Sequence, residues 1–228
     1  MVSIPFAGVT PNTLVDYPGK VATLVAVAGC NLRCPYCHNF NSCLKVEEPK
    51  NADEIMEQLK NYARFVEAIV VSGGEPMMYD ELPIFIVALK ALGKLIKIDT
   101  NGTYPNVLRK ALLTSVDFVA MDIKYPLKKY RYYSEDVSKS IDLIRTHMSV
   151  GDYHFRTTVH KEFLPEKELK DIIKILKPND TWKIQKVRQS DGMEDATIFS
   201  DDTNYSLKEI SVFMKMAEDK GILVEVNW

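Results

Sequence analysis

Three cysteines stand within a short run, Cys30, Cys34 and Cys37, and His38 follows at once. Several chemistries compete for them. The pair in Cys34-Pro35-Tyr36-Cys37 reads as a dithiol for disulfide exchange. Cys34 to His38 spells C-x-x-C-H, the pattern of covalent haem attachment. Val27-Ala28-Gly29-Cys30 has the shape of a lipid-attachment site. Structural zinc would need a fourth ligand, for which His38 or Cys43 is available. Three thiolates at this spacing also suit an iron–sulfur cluster with one iron left without a protein ligand.

The surrounding sequence weighs these readings. A dithiol domain would be about half this length and would leave Cys30 without a role. Haem attachment requires export, and MVSIPFAGVT has no basic segment to start a signal. For lipid attachment the apolar run is short and Asp16 and Pro18 precede it. C-x3-C-x2-C is not a usual zinc-knuckle spacing. Electron-transfer clusters take four cysteines, so an incomplete set points to chemistry at the open iron. The chain has 228 residues, 46% hydrophobic and 26% charged, with formal net charge −2. No overall field attracts nucleic acid or an anionic membrane. No run approaches the ~20 apolar residues of a membrane span. Clustered thiols fit a reducing compartment, so a cytoplasmic enzyme is expected.

Elements that would position these groups alternate along the chain. Apolar, β-branched runs predict strands at 21–28, 67–72, 94–100, 116–122, 153–159 and 182–187, with a further one at 222–226. Helices are expected at 51–63, opened by an Asn51/Glu54 capping box, and at 80–92, 105–113, 136–148, 166–176 and 206–220. Six βα units imply a mostly parallel sheet in one α/β domain, an open sheet or an incomplete barrel. The lead-in, 1–20, reads as a hairpin or irregular segment, the core as 21–190, and 191–228 as a loop, helix and strand. Polar residues follow each strand: the cysteines, Ser72-Gly73-Gly74-Glu75-Pro76, Asp99-Thr100-Asn101-Gly102, Asp122-Ile123-Lys124, Arg156-Thr157-Thr158 and Gln185-Lys186-Val187-Arg188. Groups at the C-terminal ends of strands would surround a single mouth, which favours the barrel.

Cys30-x3-Cys34-Pro35-Tyr36-Cys37, with an aromatic before the last cysteine, resembles the signature of the radical S-adenosylmethionine (SAM) superfamily. Gly73-Gly74-Glu75-Pro76 looks like its GGE element. Cys37-His38-Asn39, Asp99-Thr100-Asn101-Gly102 and Asp122-Ile123-Lys124 are similar to the glycyl-radical activating enzymes. The lead-in Thr13-Leu14-Val15-Asp16-Tyr17-Pro18-Gly19 resembles activating proteins of anaerobic ribonucleoside-triphosphate reductase. The resemblance covers nearly the whole chain and implies a partial (β/α)6 barrel.

It further implies that Cys30, Cys34 and Cys37 hold three irons of a 4Fe–4S cluster, while SAM chelates the fourth. Tyr36 would pack near cluster and adenine, and Asn39 near SAM. Gly73 and Gly74 would admit backbone groups to the SAM amino group, with Glu75 as an acceptor. Asp99, Thr100 and Asp122 would line a monovalent cation site that relieves repulsion between the two carboxylates, with Asn101 beside them. Lys124 and Arg156 would face the SAM carboxylate. Reductive cleavage of SAM would yield a 5′-deoxyadenosyl radical that takes hydrogen from a glycine of the partner, with flavodoxin or ferredoxin as electron donor. Three readings follow. The first is the activase of anaerobic ribonucleotide reductase. The second is an activase of another glycyl-radical enzyme, such as pyruvate formate-lyase, or a small-molecule radical SAM enzyme. The third is an iron–sulfur or zinc scaffold or electron carrier without catalysis. The Lys- and Tyr-rich 124–133 loop is expected to be solvated, with partner docking second and nucleic acid third. Cys43 reads as a structural thiol, and no histidine is assigned a catalytic role.

Overall fold

The computed structural model describes residues 2–199 and 203–228. Eight strands form one sheet in chain order. β1 (Phe6–Tyr17) pairs antiparallel with β2 (Lys20–Val27). Parallel pairing then runs through β3 (Ala68–Gly73), β4 (Leu95–Thr100), β5 (Phe118–Asp122), β6 (Tyr153–Val159), β7 (Thr181–Lys186) and β8 (Leu223–Asn227). The lead-in is therefore a long edge strand, and the final segment is a further parallel strand beyond the six of the expected core. Within the sheet β1 and β8 each pair with one strand, so it stays open between them, and Phe6 of β1 makes a separate antiparallel bridge to Lys50.

Strand order equal to chain order places successive crossover helices on one face of the sheet. These are α1 (Ala52–Tyr62), α2 (Leu82–Lys90), α3 (Pro105–Leu112), α4 (Ser134–His147), α5 (Glu166–Ile175) and α6 (Leu207–Glu218). The two expected capping boxes form: Asn51 with Glu54 opens α1, and Ser206 with Glu209 opens α6. Each satisfies backbone N–H groups that a helix start leaves without partners.

Side chains alternate across the strands. Ile96 and Ile98, Val119 and Met121, and Trp182 and Ile184 join the main core with the helices. Trp182 is fully buried, and its Nε1 donates to Thr157 Oγ1 at 2.9 Å. The opposite face is concave. Toward the N-terminal ends of the strands it carries a small apolar plug of Tyr17, Ala22, Ala68, Val70 and Phe118. Beyond the plug it turns polar, with Ser72, Lys97, Asp99, Asp122 and Arg156. A charged residue every second position inside an otherwise apolar strand, as in Lys97-Ile98-Asp99, marks that face. No helix among the described residues is long and apolar enough to cross a membrane.

Candidate functional site

The segment from Val27 to Cys30, just past the end of β2, is held from several sides, and this sets where the cysteines begin. Gly74 N–H donates to the Val27 carbonyl at 2.8 Å and Glu75 N–H to the Gly29 carbonyl at 2.9 Å. Gly29 N–H donates to the Cys43 carbonyl at 2.8 Å, and Tyr79 Oη to the Ala28 carbonyl at 2.6 Å. The glycines are demanded by this contact. A Cβ on Gly74 would lie 1.8 Å from the Gly29 oxygen, and one on Gly73, at φ +101°, would lie 2.7 Å from Val27 N. At Gly73 and Gly74 the backbone of Ala26, Val27 and Gly29 by itself leaves no room for a side chain.

Glu75 is tied into the same corner by its side chain. It is buried, and both carboxylate oxygens are occupied. Oε1 accepts from Met77 N–H and Thr100 Oγ1, and Oε2 accepts from Asn101 N–H at 2.6 Å. Burial pushes its carboxyl up to about 7, against these donors, which favour the ionised form. Glu75 is an internal strut joining the ends of β3 and β4. Thr100 is buried in that strut, and its Oγ1 also accepts from Gly102 N–H.

The cysteine loop lies across this corner. Cys37 N–H closes a turn on the Cys34 carbonyl at 3.0 Å. Asn39 Nδ2 donates to the Gly73 carbonyl at 2.9 Å. Phe40–Leu44 forms a short helical turn. The 188–199 segment then straps the loop from outside. Asn41 N–H donates to the Gly192 carbonyl, and Asn41 Nδ2 to the Asp191 and Met193 carbonyls. A Cβ on Gly192 would fall 2.0 Å from the His38 oxygen. Tyr36 is buried against Val187, Met193 and Phe199, with Cys34 and Phe163 beside it. Its hydroxyl is buried without a partner among the described residues. Asn41 and Gly192 were missed by sequence reading, which took the chain from 191 onward to begin as a plain loop.

All three cysteines are half-buried free thiols that line one cavity of about 580 Å³. The same cavity meets Tyr36, Asn39, Gly73, Gly74, Glu75, Asp99, Thr100, Asn101, Asp122, Lys124 and Arg156, so the tertiary structure gathers every expected site residue. Burial pushes the Cys30 thiol up to about 11 and raises Cys34 as well. Among the described residues no three His, Cys, Asp or Glu side chains gather tightly enough for a single metal ion. One zinc requires all sulfurs at about 2.3 Å from a common point. A cluster seats each thiolate on its own iron, so it suits sulfurs spread around one wall of a cavity. The donor set fits a 4Fe–4S cluster held by three cysteines. Cys43 is buried in the same loop and reaches the same cavity.

Charges on the concave face are already paired. Register puts Asp122 directly opposite Arg156 on β5 and β6. Arg156 Nε lies 2.5 Å from Asp122 Oδ1, and its Nη2 lies 3.5 Å from Asp99 Oδ2. Lys124 Nζ is 3.1 Å from Asp122 Oδ2, and Lys97 Nζ is bonded to Asp99 Oδ1. Burial alone would raise Asp122, yet Arg156 and Lys124 hold its carboxyl far below the usual carboxylate range. Asp99 is likewise lowered, by Lys97 and Arg156 against burial. The two carboxylates of the expected cation site do not face each other bare: three side-chain cations already compensate them. Lys97, the residue that alters the balance, was not picked from sequence, although its position two before Asp99 puts both on one face. The five groups together carry one net positive charge, which suits a bound carboxylate.

The 124–133 loop forms a helical turn over Leu127–Tyr133. Lys128 pairs with Asp171 and Lys129 with Glu168, while Tyr132 stands exposed. His38 is exposed, His147 Nδ1 meets the Leu143 carbonyl, His160 Nε2 meets Thr203 Oγ1, and His154 is buried beneath the polar face.

Comparison with known proteins agrees with this geometry. Residues 24–160, well over half of the chain, match the radical SAM superfamily. A protein of Methanocaldococcus jannaschii named as a candidate glycyl-radical enzyme activating enzyme is 32% identical over 201 residues, covering 83% of this chain and 82% of that one. A 7-carboxy-7-deazaguanine synthase of Hyperthermus butylicus is 30% identical over 114 residues, 49% of this chain and 48% of its own. Streptococcus suis SuiB, solved bound to S-adenosylmethionine, superposes with TM-score 0.65 at 14% identity over 87% of this chain. The chain spans 48% of SuiB, about half, so that likeness concerns the fold. With the superfamily come a 4Fe–4S cluster and SAM, and three half-buried cysteines on one cavity fit the ligand set such a cluster requires. The chain belongs to the radical SAM superfamily of enzymes.

Proposed function

We propose that this protein is the activating enzyme of a glycyl-radical enzyme, with anaerobic ribonucleoside-triphosphate reductase as its partner. The observation that carries the reading is the side opening of the sheet. The cavity runs from the cysteines along the concave face and is bounded by Ala7, Gly8, Val9 and Thr10 of β1 and by Thr158 and Gln185 of β6 and β7. An open cavity beside the edge strand β1 leaves room for a loop of another protein. The name of the M. jannaschii relative and the Thr13–Gly19 lead-in favour the same reading.

In this reading Cys30, Cys34 and Cys37 hold the cluster, which when bound supplies an electron for the reductive cleavage of SAM. Lys124 and Arg156, with their net positive surroundings, face the SAM carboxylate. Gly73, Gly74 and Asn39 shape the wall beside its amino group, while Asp99, Thr100, Asn101 and Asp122 keep that wall in place. Tyr36 covers the cluster from the side of the 188–199 strap and excludes water. The electron donor is a small redox protein of the flavodoxin or ferredoxin type, in a reducing compartment.

The test is anaerobic mixing of the reconstituted protein, SAM and dithionite with candidate glycyl-radical enzymes, followed by electron paramagnetic resonance. A glycyl doublet with the anaerobic reductase is expected. A doublet only with pyruvate formate-lyase would move the partner, and SAM cleavage with no doublet on any of them would overturn the activase reading. A small-molecule substrate is the second reading, favoured by the likeness to the deazaguanine synthase.

A further inference from the structure

The Cys30 sulfur has two N–H groups directed at it, and one of them is held by a closed ring of side chains. Leu32 N–H donates to Sγ at 3.4 Å. Asn101 Nδ2 stands 4.0 Å from the same sulfur. The two ends of an asparagine amide are easily exchanged, and the hydrogen-bond partners decide between them. Here Thr103 decides. Its backbone N–H can only donate, and it meets Asn101 Oδ1 at 3.0 Å. The oxygen must therefore face Thr103, which turns the amide N–H toward the cysteine.

The rest of the ring enforces that choice. Asn101 Nδ2 donates to Asn31 Oδ1 at 3.0 Å, and Asn31 Nδ2 donates to Thr103 Oγ1 at 2.9 Å. Thr103 Oγ1 donates to Asn101 Oδ1 at 2.6 Å. Every donation runs the same way round. Asn101 and Thr103 are 4% and 2% exposed, so water does not compete for these groups. The Asn101 backbone is pinned in turn by Glu75.

We propose that Asn101 raises the reduction potential of the cluster through its amide N–H on the Cys30 thiolate, with Asn31 and Thr103 as positioning residues that hold it there. The step concerned adds one electron to the oxidised cluster, from dithionite in the laboratory or the physiological donor in the cell. The added negative charge spreads onto the ligand sulfurs, and an N–H dipole aimed at one of them stabilises it. This rests on Cys30 being a cluster ligand, which the iron content of the same samples checks separately.

The experiment is a redox titration of the full, anaerobically reconstituted chain, followed by absorbance and electron paramagnetic resonance. At a fixed poise near the midpoint, Asn101→Ala is expected to lower the ratio of reduced to oxidised cluster by about threefold to tenfold, up to about 59 mV for one electron. Thr103→Val is expected to shift it the same way by less, and Thr103→Ser to restore the wild-type ratio. Asn101→Ala with wild-type iron and a wild-type ratio overturns the proposal. If Asn101→Ala does not load, a loaded Thr103→Val at the wild-type ratio overturns it instead. A wild-type protein that takes up no iron would remove the ligand reading and this proposal with it.

Discussion

The side-chain amide of Asn39 donates to the carbonyl of Gly73 at 2.9 Å, across 34 positions of sequence. That one bond joins the end of the cysteine loop to the corner where β3 leaves the sheet. Asn39→Ala is expected to cost about 1 kcal/mol of stability. It should also lower iron retained after reconstitution, read by iron and sulfide analysis beside a thermal melt. Asn39→Asp should be worse, because a carboxylate would face a carbonyl.

Gly74 tests the corner itself. A methyl there would sit against the Gly29 carbonyl, which is backbone held by several hydrogen bonds and cannot swing aside. Gly74→Ala is expected to destabilise by about 3 kcal/mol, the upper part of the range for overpacking. Chemical denaturation of the apoprotein measures it.

Arg156 joins the two carboxylates. Arg156→Met would leave Asp122 and Asp99 half-served in a buried place, with an expected loss of about 3–5 kcal/mol at neutral pH. The sign with pH is definite. Asp122 has a depressed folded pKa, so its contribution is present above the ordinary value of 3.8 and is lost as pH falls below it. The gap between wild type and variant should therefore be widest near neutral pH and narrow below pH ~4. Denaturation midpoints across that range decide it.

His154 predicts an acid sensitivity of another origin. Burial, with Arg156 and Lys97 nearby, lowers its pKa to about 3, and its Nε2 has no partner among the described residues. The folded state thus keeps it neutral while the unfolded chain takes up a proton below 6.5. Wild type should lose stability as pH falls from 6.5 toward 3, by up to about 1.4 kcal/mol per pH unit more than His154→Leu. Parallel curves for the two proteins would refute this.

Asn41 holds the strap. Asn41→Ala removes two side-chain hydrogen bonds, to the carbonyls of Asp191 and Met193, and leaves the backbone bond to Gly192. Hydrogen–deuterium exchange should rise in 188–199 and around Tyr36 while helices α1 to α4 stay protected. Unchanged exchange in the strap would show that packing alone holds it.

Much of the fold was legible because apolar runs of strand length alternated with capped helical patterns. The lead-in was harder. β1 carries Gly8, Pro11 and three irregularities of register, which blur the period-two pattern a regular strand shows. The 188–199 strap was illegible for a related reason: it is held by backbone carbonyls, which every residue possesses, and by Gly192, whose need arises only where His38 comes near.

By itself the sequence determined the chemistry: three closely spaced cysteines, two glycines, and carboxylates and cations at strand ends. Residue type and spacing decide which ligands are available. Tertiary structure decided what those residues do to one another. Glu75 became a buried strut, and Asp99 and Asp122 became ion-paired. Asn101 turned its amide toward Cys30. Each outcome depends on partners 25 to 71 positions away in sequence. Only the register of parallel strands, set by burying one face of each, brings those partners within hydrogen-bonding distance.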